Sequence, residues 1–189
     1  MNYLSLFIPV LLTLASQVLA TEEVLTINDC RIEPDSQCPN ANLRNADLHS
    51  QDLRRMNLAG ADLRGANLRH ARLDLANLEG AQLQQANLTR ASLQQSNLRL
   101  ADLRGADLQF ARLSGAKLHG AQLQAANLEM TWLSKADLKG AKLNDANLQE
   151  VKLSGANLEN ADLSGTRTHY GNFQGANMPG CIECPADWD

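Results

Sequence analysis

Four cysteines are the residues of this 189-residue chain best suited to covalent or metal chemistry. Cys181 and Cys184 form a C-x-x-C motif, and Cys30 and Cys38 lie near the other end of the sequence. Redox catalysis by C-x-x-C requires the motif to begin a helix after a strand, but here it stands in a short tail. Haem attachment requires a histidine directly after the motif, and Pro185 occupies that position. We therefore interpret the motif as structural.

Histidines are the second group that could do chemistry. They show no common spacing, and no serine or cysteine nucleophile stands beside a histidine and an acid in a repeated arrangement. The four are His49, His70, His119 and His169. The sequence therefore predicts no catalytic residue, no metal site, no cofactor and no small-molecule substrate.

Any functional side chains of this protein must be positioned by a repeat of five residues. Leucine stands at every fifth position from Leu43 to Leu163, 25 times without interruption, and the frame continues through Thr168, Phe173 and Met178. Alanine lies two residues before 21 of these 28 positions, and Asn or Asp lies one residue before 18 of them. The unit therefore reads A-(D/N)-L-x-x, and a repeat this regular determines the architecture.

A period of five fits neither a straight helix nor a straight strand. On a helix, successive leucines would be about 140° apart, and on a strand they would alternate between faces. The chain must therefore bend once per unit to keep the leucines on one side. Eleven of the twelve glycines lie two residues after a register position, where a bend favours positive φ. We predict that Leu and Ala point inward and that the intervening Asn or Asp points outward.

These units resemble the pentapeptide-repeat family over residues 41–178. The resemblance implies an all-β fold, a right-handed quadrilateral β-helix with four units per coil, about seven coils and terminal caps. At the ~4.8 Å spacing of paired strands, the rod would be about 34 Å tall. Outward Asn and Asp residues would stack every twenty residues into a hydrogen-bonded ladder. A rod filled by its own side chains offers no enclosed pocket, so we expect a non-enzymatic protein.

The segments that flank the repeat have separate roles. Residues 1–20 are predicted to be a signal peptide that is cleaved near Ala20, because their apolar run is too short to span a bilayer comfortably. The alternative is an uncleaved membrane anchor. Residues 21–40 and 179–189 are predicted to cap the open ends of the rod, with Trp188 over the last coil. The expected location is secreted, periplasmic or lumenal, without stable membrane insertion after cleavage.

Export favours oxidised cysteines, and an even number of cysteines permits complete pairing. Three connectivities exist for four cysteines. If the rod is as long as the resemblance implies, cross-pairing between its ends is geometrically excluded. We therefore predict Cys30–Cys38 and Cys181–Cys184 disulfides, and the same distance excludes a single four-cysteine zinc site in a monomer.

Outward apolar residues indicate a binding surface. At twenty residues per coil, Phe110 and Met130 are stacked between Arg90 and Glu150, and Trp132 is adjacent. Arg90 and Arg112 flank this group, whose composition is typical of an interface anchor. The alternatives are cover by a cap or local packing.

The first functional hypothesis is an exported protein-interaction scaffold that binds an unknown protein partner through its side faces. An alternative, suggested by the resemblance, is protection of DNA gyrase by mimicry of DNA. It requires a long acidic face, but the repeat has 16 Lys and Arg against 13 Asp and Glu. A second alternative is binding of nucleic acid or another anionic polymer by the Arg-rich early coils. Asp residues are interleaved with those arginines, so nucleic acid is not the expected partner.

Overall fold

The backbone returns to the same side of the molecule after every twenty residues. In the computed structural model, which describes residues 24–185, 26 parallel bridges pair each residue i with residue i+20, from Gln37 with Asn57 to Asp162 with Ile182. Twenty residues comprise four pentapeptide units, so each coil has four sides. The ladder reaches beyond 41–178 in both directions.

We number the sides by the leucines that lie behind them. Each side consists of whole five-residue units, which run from two residues before a register position to the corner residue two after it. Side 1 contains the units of Leu43 and of every twentieth residue after it, side 2 begins with the unit of Leu48, side 3 with that of Leu53 and side 4 with that of Leu58. Residues that are twenty apart in sequence therefore lie on the same side in successive coils. They are separated by the strand spacing of about 4.8 Å.

The unit around Leu63 shows how the backbone N–H and C=O groups are hydrogen-bonded. The amide of Leu63 donates to the Gln82 carbonyl in the next coil (2.8 Å), and the amide of Asp62 donates to the Ala41 carbonyl in the preceding coil (2.9 Å). The amide of Ala66 then donates to the Leu63 carbonyl (3.0 Å), which closes a β-turn. Because both neighbouring coils supply partners, inner coils leave few unpaired backbone groups.

Corners have the same backbone conformation whatever residue occupies them. All twenty-nine corner positions from Asn40 to Gly180 have positive φ, and only eleven of them are glycine. Positive φ at the third residue of a turn is typical of a type II turn. The glycine positions predicted the bend, but the bend does not depend on glycine. Bulky corner residues include Leu75, Leu100, Phe110, Met130 and Tyr170.

The interior is a continuous column of leucine and alanine. Every leucine at a register position, from Leu43 in steps of five to Leu163, is buried, as is Phe173, so the predicted inward register is confirmed. Two polar residues at alanine positions are fully buried in this column, and both are hydrogen-bonded there. Ser96 donates to the Leu93 carbonyl (2.7 Å), and Thr131 donates to the Leu108 carbonyl (2.8 Å).

Outward Asn and Asp residues act within and between coils. The Asn77 side-chain oxygen accepts the amide of Glu79 in the same unit (3.3 Å). Its side-chain nitrogen donates to Asn57 one coil earlier (3.1 Å), and Asn97 donates to Asn77 (2.9 Å). This ladder is the one expected from the sequence. It explains why Asn or Asp is frequent at this position, since the side chain stabilises its own turn and the stack.

A short hairpin precedes the first coil. Strand β1 (Thr26–Ile27) pairs with the antiparallel strand β2 (Cys30–Arg31), and the two turn residues between them both have positive φ. This is the pattern of a type I′ hairpin. The pairing partner of β1 is therefore β2 of the same hairpin. No helix occurs within residues 24–185.

Disulfides connect the cysteines at each end. Cys30 pairs with Cys38 (Cα–Cα 5.5 Å), and Cys181 pairs with Cys184 (Cα–Cα 5.7 Å). Cys38 occupies the spine register one unit before Leu43, so the first disulfide joins the hairpin to the core. The predicted signal peptide and Trp188 lie outside the described residues.

Candidate functional site

An open groove crosses side 3 at the corner it shares with side 2. Its volume is about 730 Å³, and it is lined by residues that include His70, Arg72, Asp74, Arg90, Phe110 and Trp132. Phe110 and Trp132 are 38% and 46% exposed, which is unusual for large rings on an otherwise polar surface. The groove contains four of the five residues of the predicted patch.

Corner and face positions bring these side chains together. Phe110 is a corner residue, whereas Arg112 and Trp132 take the outward position usually filled by Asn or Asp. Positive φ at Phe110 (61°) directs a large side chain out of the coil at that corner. The fifth predicted residue, Met130, is half-buried on the same corner column and does not line the groove.

Cations contact both aromatic rings of the groove. The Arg90 guanidinium carbon lies 5.4 Å from the centre of the Phe110 ring. The Trp132 ring has a cation from each neighbouring coil, with Arg112 at 5.7 Å and the Lys152 ammonium at 4.6 Å. Lys152 was not among the predicted site residues. The spacing of twenty residues from Trp132 was the sequence signal that could have identified it.

Asp74 lines the groove, and its carboxylate accepts hydrogen bonds from neutral groups. The Ser92 hydroxyl donates to its carboxylate, and the Gln94 amide donates to the same oxygen (3.0 Å). Asp74 therefore does not neutralise the arginines of the groove by a direct ion pair in the part of the chain that the structure describes.

Arginines of the early coils are mostly paired with carboxylates. Arg64 makes a two-point contact with Asp62 (2.8 and 2.6 Å), and Arg54 contacts Asp52 in the same manner. Arg55 contacts Asp35 one coil earlier (2.7 Å). These pairs argue against the early coils as a binding site for an anionic polymer.

The pair of Arg64 with Asp62 changes the acidity of its carboxyl group. Hydrogen bonds from the Arg64 side chain lower the pKa of Asp62 from 3.8 to about 2. The carboxylate form is therefore stabilised in the folded state. At Asp102, partial burial is the largest single effect and opposes the shift, but the hydrogen bonds and charge of Arg104 together with a hydrogen bond from Gln84 lower its pKa.

Residues that could bind a metal ion do not cluster within residues 24–185. No group of three or more His, Cys, Asp or Glu in that range could hold a metal ion. His49 contacts Asp47 (3.0 Å), and this pair is exposed to solvent. No helix in the described range is long and apolar enough to cross a membrane.

The repeat model of one family matches most of this chain. The model, described as pentapeptide repeats, matches eight copies in overlapping segments that together span residues 41–182. The chain belongs to the pentapeptide-repeat family. Its right-handed quadrilateral β-helix of about seven coils is the fold of that family, as the sequence predicted.

Two solved pentapeptide-repeat structures are similar to this protein. The first is HetL of the cyanobacterium Nostoc sp. strain PCC 7120, which is involved in heterocyst differentiation regulation. It is 32% identical over 77% of this chain and 75% of HetL, with a TM-score of 0.64. The second is a protein from the thylakoid lumen of Arabidopsis thaliana. It is 31% identical over 52% of this chain and 69% of that chain, with a TM-score of 0.51. No curated protein matches the sequence.

Proposed function

We propose that this pentapeptide-repeat protein is an exported, non-enzymatic scaffold that binds a protein partner through a side face. The observation that carries the proposal is the side-3 groove, with exposed Phe110 and Trp132 on a rod whose interior is filled. Aromatic residues with neighbouring arginines are the composition of interface hot spots. Enclosed catalytic sites need a concave pocket, which a packed leucine column does not supply.

Export is part of the proposal. The two disulfides favour an oxidising compartment, and the apolar run of residues 1–20 is typical of a signal peptide. A similar pentapeptide-repeat protein comes from the thylakoid lumen, which is consistent with a lumenal or other exported location for this fold. We expect cleavage near Ala20, and the mass of the mature protein in each cell fraction tests it.

Charge argues against the DNA-mimic alternative. Over residues 41–178, sides 1 and 4 have no net charge, side 2 has a net charge of −1 and side 3 has +4. A protein that imitates DNA needs a row of negative charge along one face. None of the four sides has such a row in that range.

Capture from the exported fraction tests the scaffold function. The bait is the mature protein, cross-linked to its partner before purification and compared with the Phe110→Ser/Trp132→Ser double variant. A matched control replaces two exposed leucines on other corners, Leu75 and Leu100, by serine. We expect the control to retain the partner and the aromatic double variant to lose it. Retention of every partner by both variants would refute binding through this groove.

A further inference from the structure

Side 3 carries all of the net positive charge of the repeat. Over residues 41–178 it has six Lys and Arg against two Asp and Glu, whereas each other side is neutral or slightly negative. Both acids lie in the first two coils of this side, and no acid occurs on it from Ala91 onward. The cations are Arg54, Arg55, Arg72, Arg112, Lys135 and Lys152, and the acids are Asp52 and Asp74.

Unpaired cations coincide with the aromatic part of the groove. In the described range, Arg90, Arg112 and Lys152 form no ion pair with a carboxylate. Glu150 stands on the bordering corner, but it forms no ion pair with Lys152. Aromatic rings are the groups that these three cations contact.

The repeat explains why Arg112 and Lys152 have no carboxylate partner. In units such as Ala61–Gly65, Asp62 at the outward position contacts Arg64 two residues later. In side 3, Arg112 and Lys152 themselves occupy the outward position, so their own units supply no carboxylate there, and the outward residues one coil away are not acidic either. The cations therefore keep hydrogen-bond donors free for a ligand.

Ring contacts prepare these donors for an anionic ligand. A guanidinium that lies over an aromatic ring retains N–H groups at its edge, and these can bind a carboxylate in a two-point contact. Along side 3 the order is Arg112, Trp132 and Lys152, one per coil at about 4.8 Å spacing. A ligand that runs parallel to the rod axis would meet a cation, an apolar ring and a second cation in succession.

We infer that the side-3 groove binds an extended acidic segment of a partner protein, in which two acidic side chains flank an apolar one. This inference rests on the proposed scaffold function. Side chains at alternate positions of an extended peptide point the same way and are about 6.6 Å apart. Acidic residues at the first and fifth positions can reach Arg112 and Lys152, and the apolar residue between them can pack on Trp132 and Phe110.

The same geometry disfavours single-stranded nucleic acid. Binding of single strands depends on stacking of bases on aromatic faces. Cations already lie over the Phe110 and Trp132 rings, so a base would have to displace them. An acidic peptide needs no such displacement, because its carboxylates bind the cations and its apolar side chain needs only the ring surface that the cations leave exposed.

Direct binding tests this inference. The probe is a short peptide with glutamate at the first and fifth positions, leucine at the third and serine at the second and fourth, so that both glutamates and the leucine point to one face. It is titrated into the mature protein, with the fluorescence of Trp132 as readout. Trp132 and Trp188 are the two tryptophans, so a Trp188→Phe background isolates the signal. Matched probes are the peptide with glutamine for glutamate, oligothymidylate and a heparin oligosaccharide.

Two double variants that each remove two positive charges, one in the groove and one on another side, test the role of the groove cations. We expect Arg112→Gln/Lys152→Gln to weaken binding of the glutamate peptide about tenfold, and the glutamine peptide to bind poorly. Arg99→Gln/Lys117→Gln removes the same charge from side 4 and should leave binding unchanged. Equal weakening of peptide binding by both double variants would overturn specific binding in the groove, since it would show a general effect of net charge.

The remaining outcomes separate this inference from the proposed function. Tighter binding of oligothymidylate or heparin than of the glutamate peptide would overturn the choice of a protein segment. If no probe binds but a partner cross-links to a photo-reactive residue at Gln124 on side 1 rather than at Phe110, the groove is wrong and the scaffold function stands. If neither position cross-links to any protein, both fail.

Discussion

The Phe173 ring occupies the space that a side chain on Gly171 would need. A Cβ at position 171 would lie 2.9 Å from Cε2 of Phe173, 3.0 Å from the Thr168 carbonyl oxygen and 3.2 Å from a methyl group of Val151. Gly171 stands at an alanine position of the repeat, and Phe173 at a leucine position. A larger residue in the spine is thus accommodated by a smaller one two residues earlier.

Restoring alanine at this position should destabilise the last coils. We expect Gly171→Ala to lower the free energy of unfolding by about 1–3 kcal/mol, because the core has no room for the methyl group. Adding Phe173→Leu removes the closest contact, so the double variant should be more stable than Gly171→Ala alone. Urea unfolding of both variants measures this coupling. A single variant as stable as the parent would contradict the packing described here.

A charge in the leucine column should prevent folding. Leu103 is fully buried in the middle of the stack, where an aspartate would have neither water nor a partner. We expect Leu103→Asp to lose the β-sheet signal in circular dichroism. Leu100→Asp is the control, because Leu100 is 59% exposed at a positive-φ corner that aspartate tolerates. An unchanged melting temperature for Leu103→Asp would refute the inward register.

Corner strain can be separated from crowding at Gly140. Its φ is 64°, and no atom outside its chain neighbours lies within 4 Å of the position of an added Cβ. Gly140→Val should therefore destabilise the protein through backbone conformation alone, by about 1–2 kcal/mol. Gly140→Asn should be nearly neutral, because asparagine accepts positive φ. Thermal unfolding that gave equal losses for Val and Asn would contradict a conformational origin.

The two disulfides should differ in their resistance to reduction. Cys30 and Cys38 are buried in the core, whereas Cys181 and Cys184 are partly exposed. Because exchange requires access of a thiolate to a sulfur atom, Cys181–Cys184 should open first under limiting reductant. Alkylation followed by peptide mass mapping measures the order. Simultaneous opening of both bonds in the folded protein would be the contrary result.

Asp62 should contribute to acid stability over a defined range. Its pKa is lowered from 3.8 to about 2 in the folded protein by hydrogen bonds from Arg64. The stabilisation is present above pH ~4 and is lost as the pH falls towards 2, where the folded-state carboxylate binds a proton.

Asp62→Asn is the matched variant for this test, because asparagine can still accept the Arg64 amide that caps the turn. We expect the difference in unfolding free energy between parent and variant to shrink between pH 4 and 2. A constant difference across that range would show that the ion pair does not contribute.

Local sequence is sufficient to predict the direction of most side chains in the repeat. Leu63 and Ala61 are inward and Asp62 outward because side chains alternate along each extended side, and this follows from the order of residues alone. The bend after Leu63 is predicted by Gly65, although residues other than glycine form the same bend at most corners. The pairing of Cys30 with Cys38 also follows from the sequence, once the length of the repeat separates the two ends.

Long-range stacking decided the rest. The register of twenty residues placed Trp132 between Arg112 and Lys152, and only the first of these cations was predicted from the sequence. It also paired Arg55 with Asp35 across one coil, which neutralised an arginine that the sequence alone left open as a ligand for polymers.

What the sequence determined by itself is the course of the chain within one unit, since turn preference and alternation act over a few residues. What only the tertiary structure decided is which charges remain unpaired and which rings are covered. Those properties depend on neighbours one coil away, and the distance between side chains there is set by the packing of the whole rod.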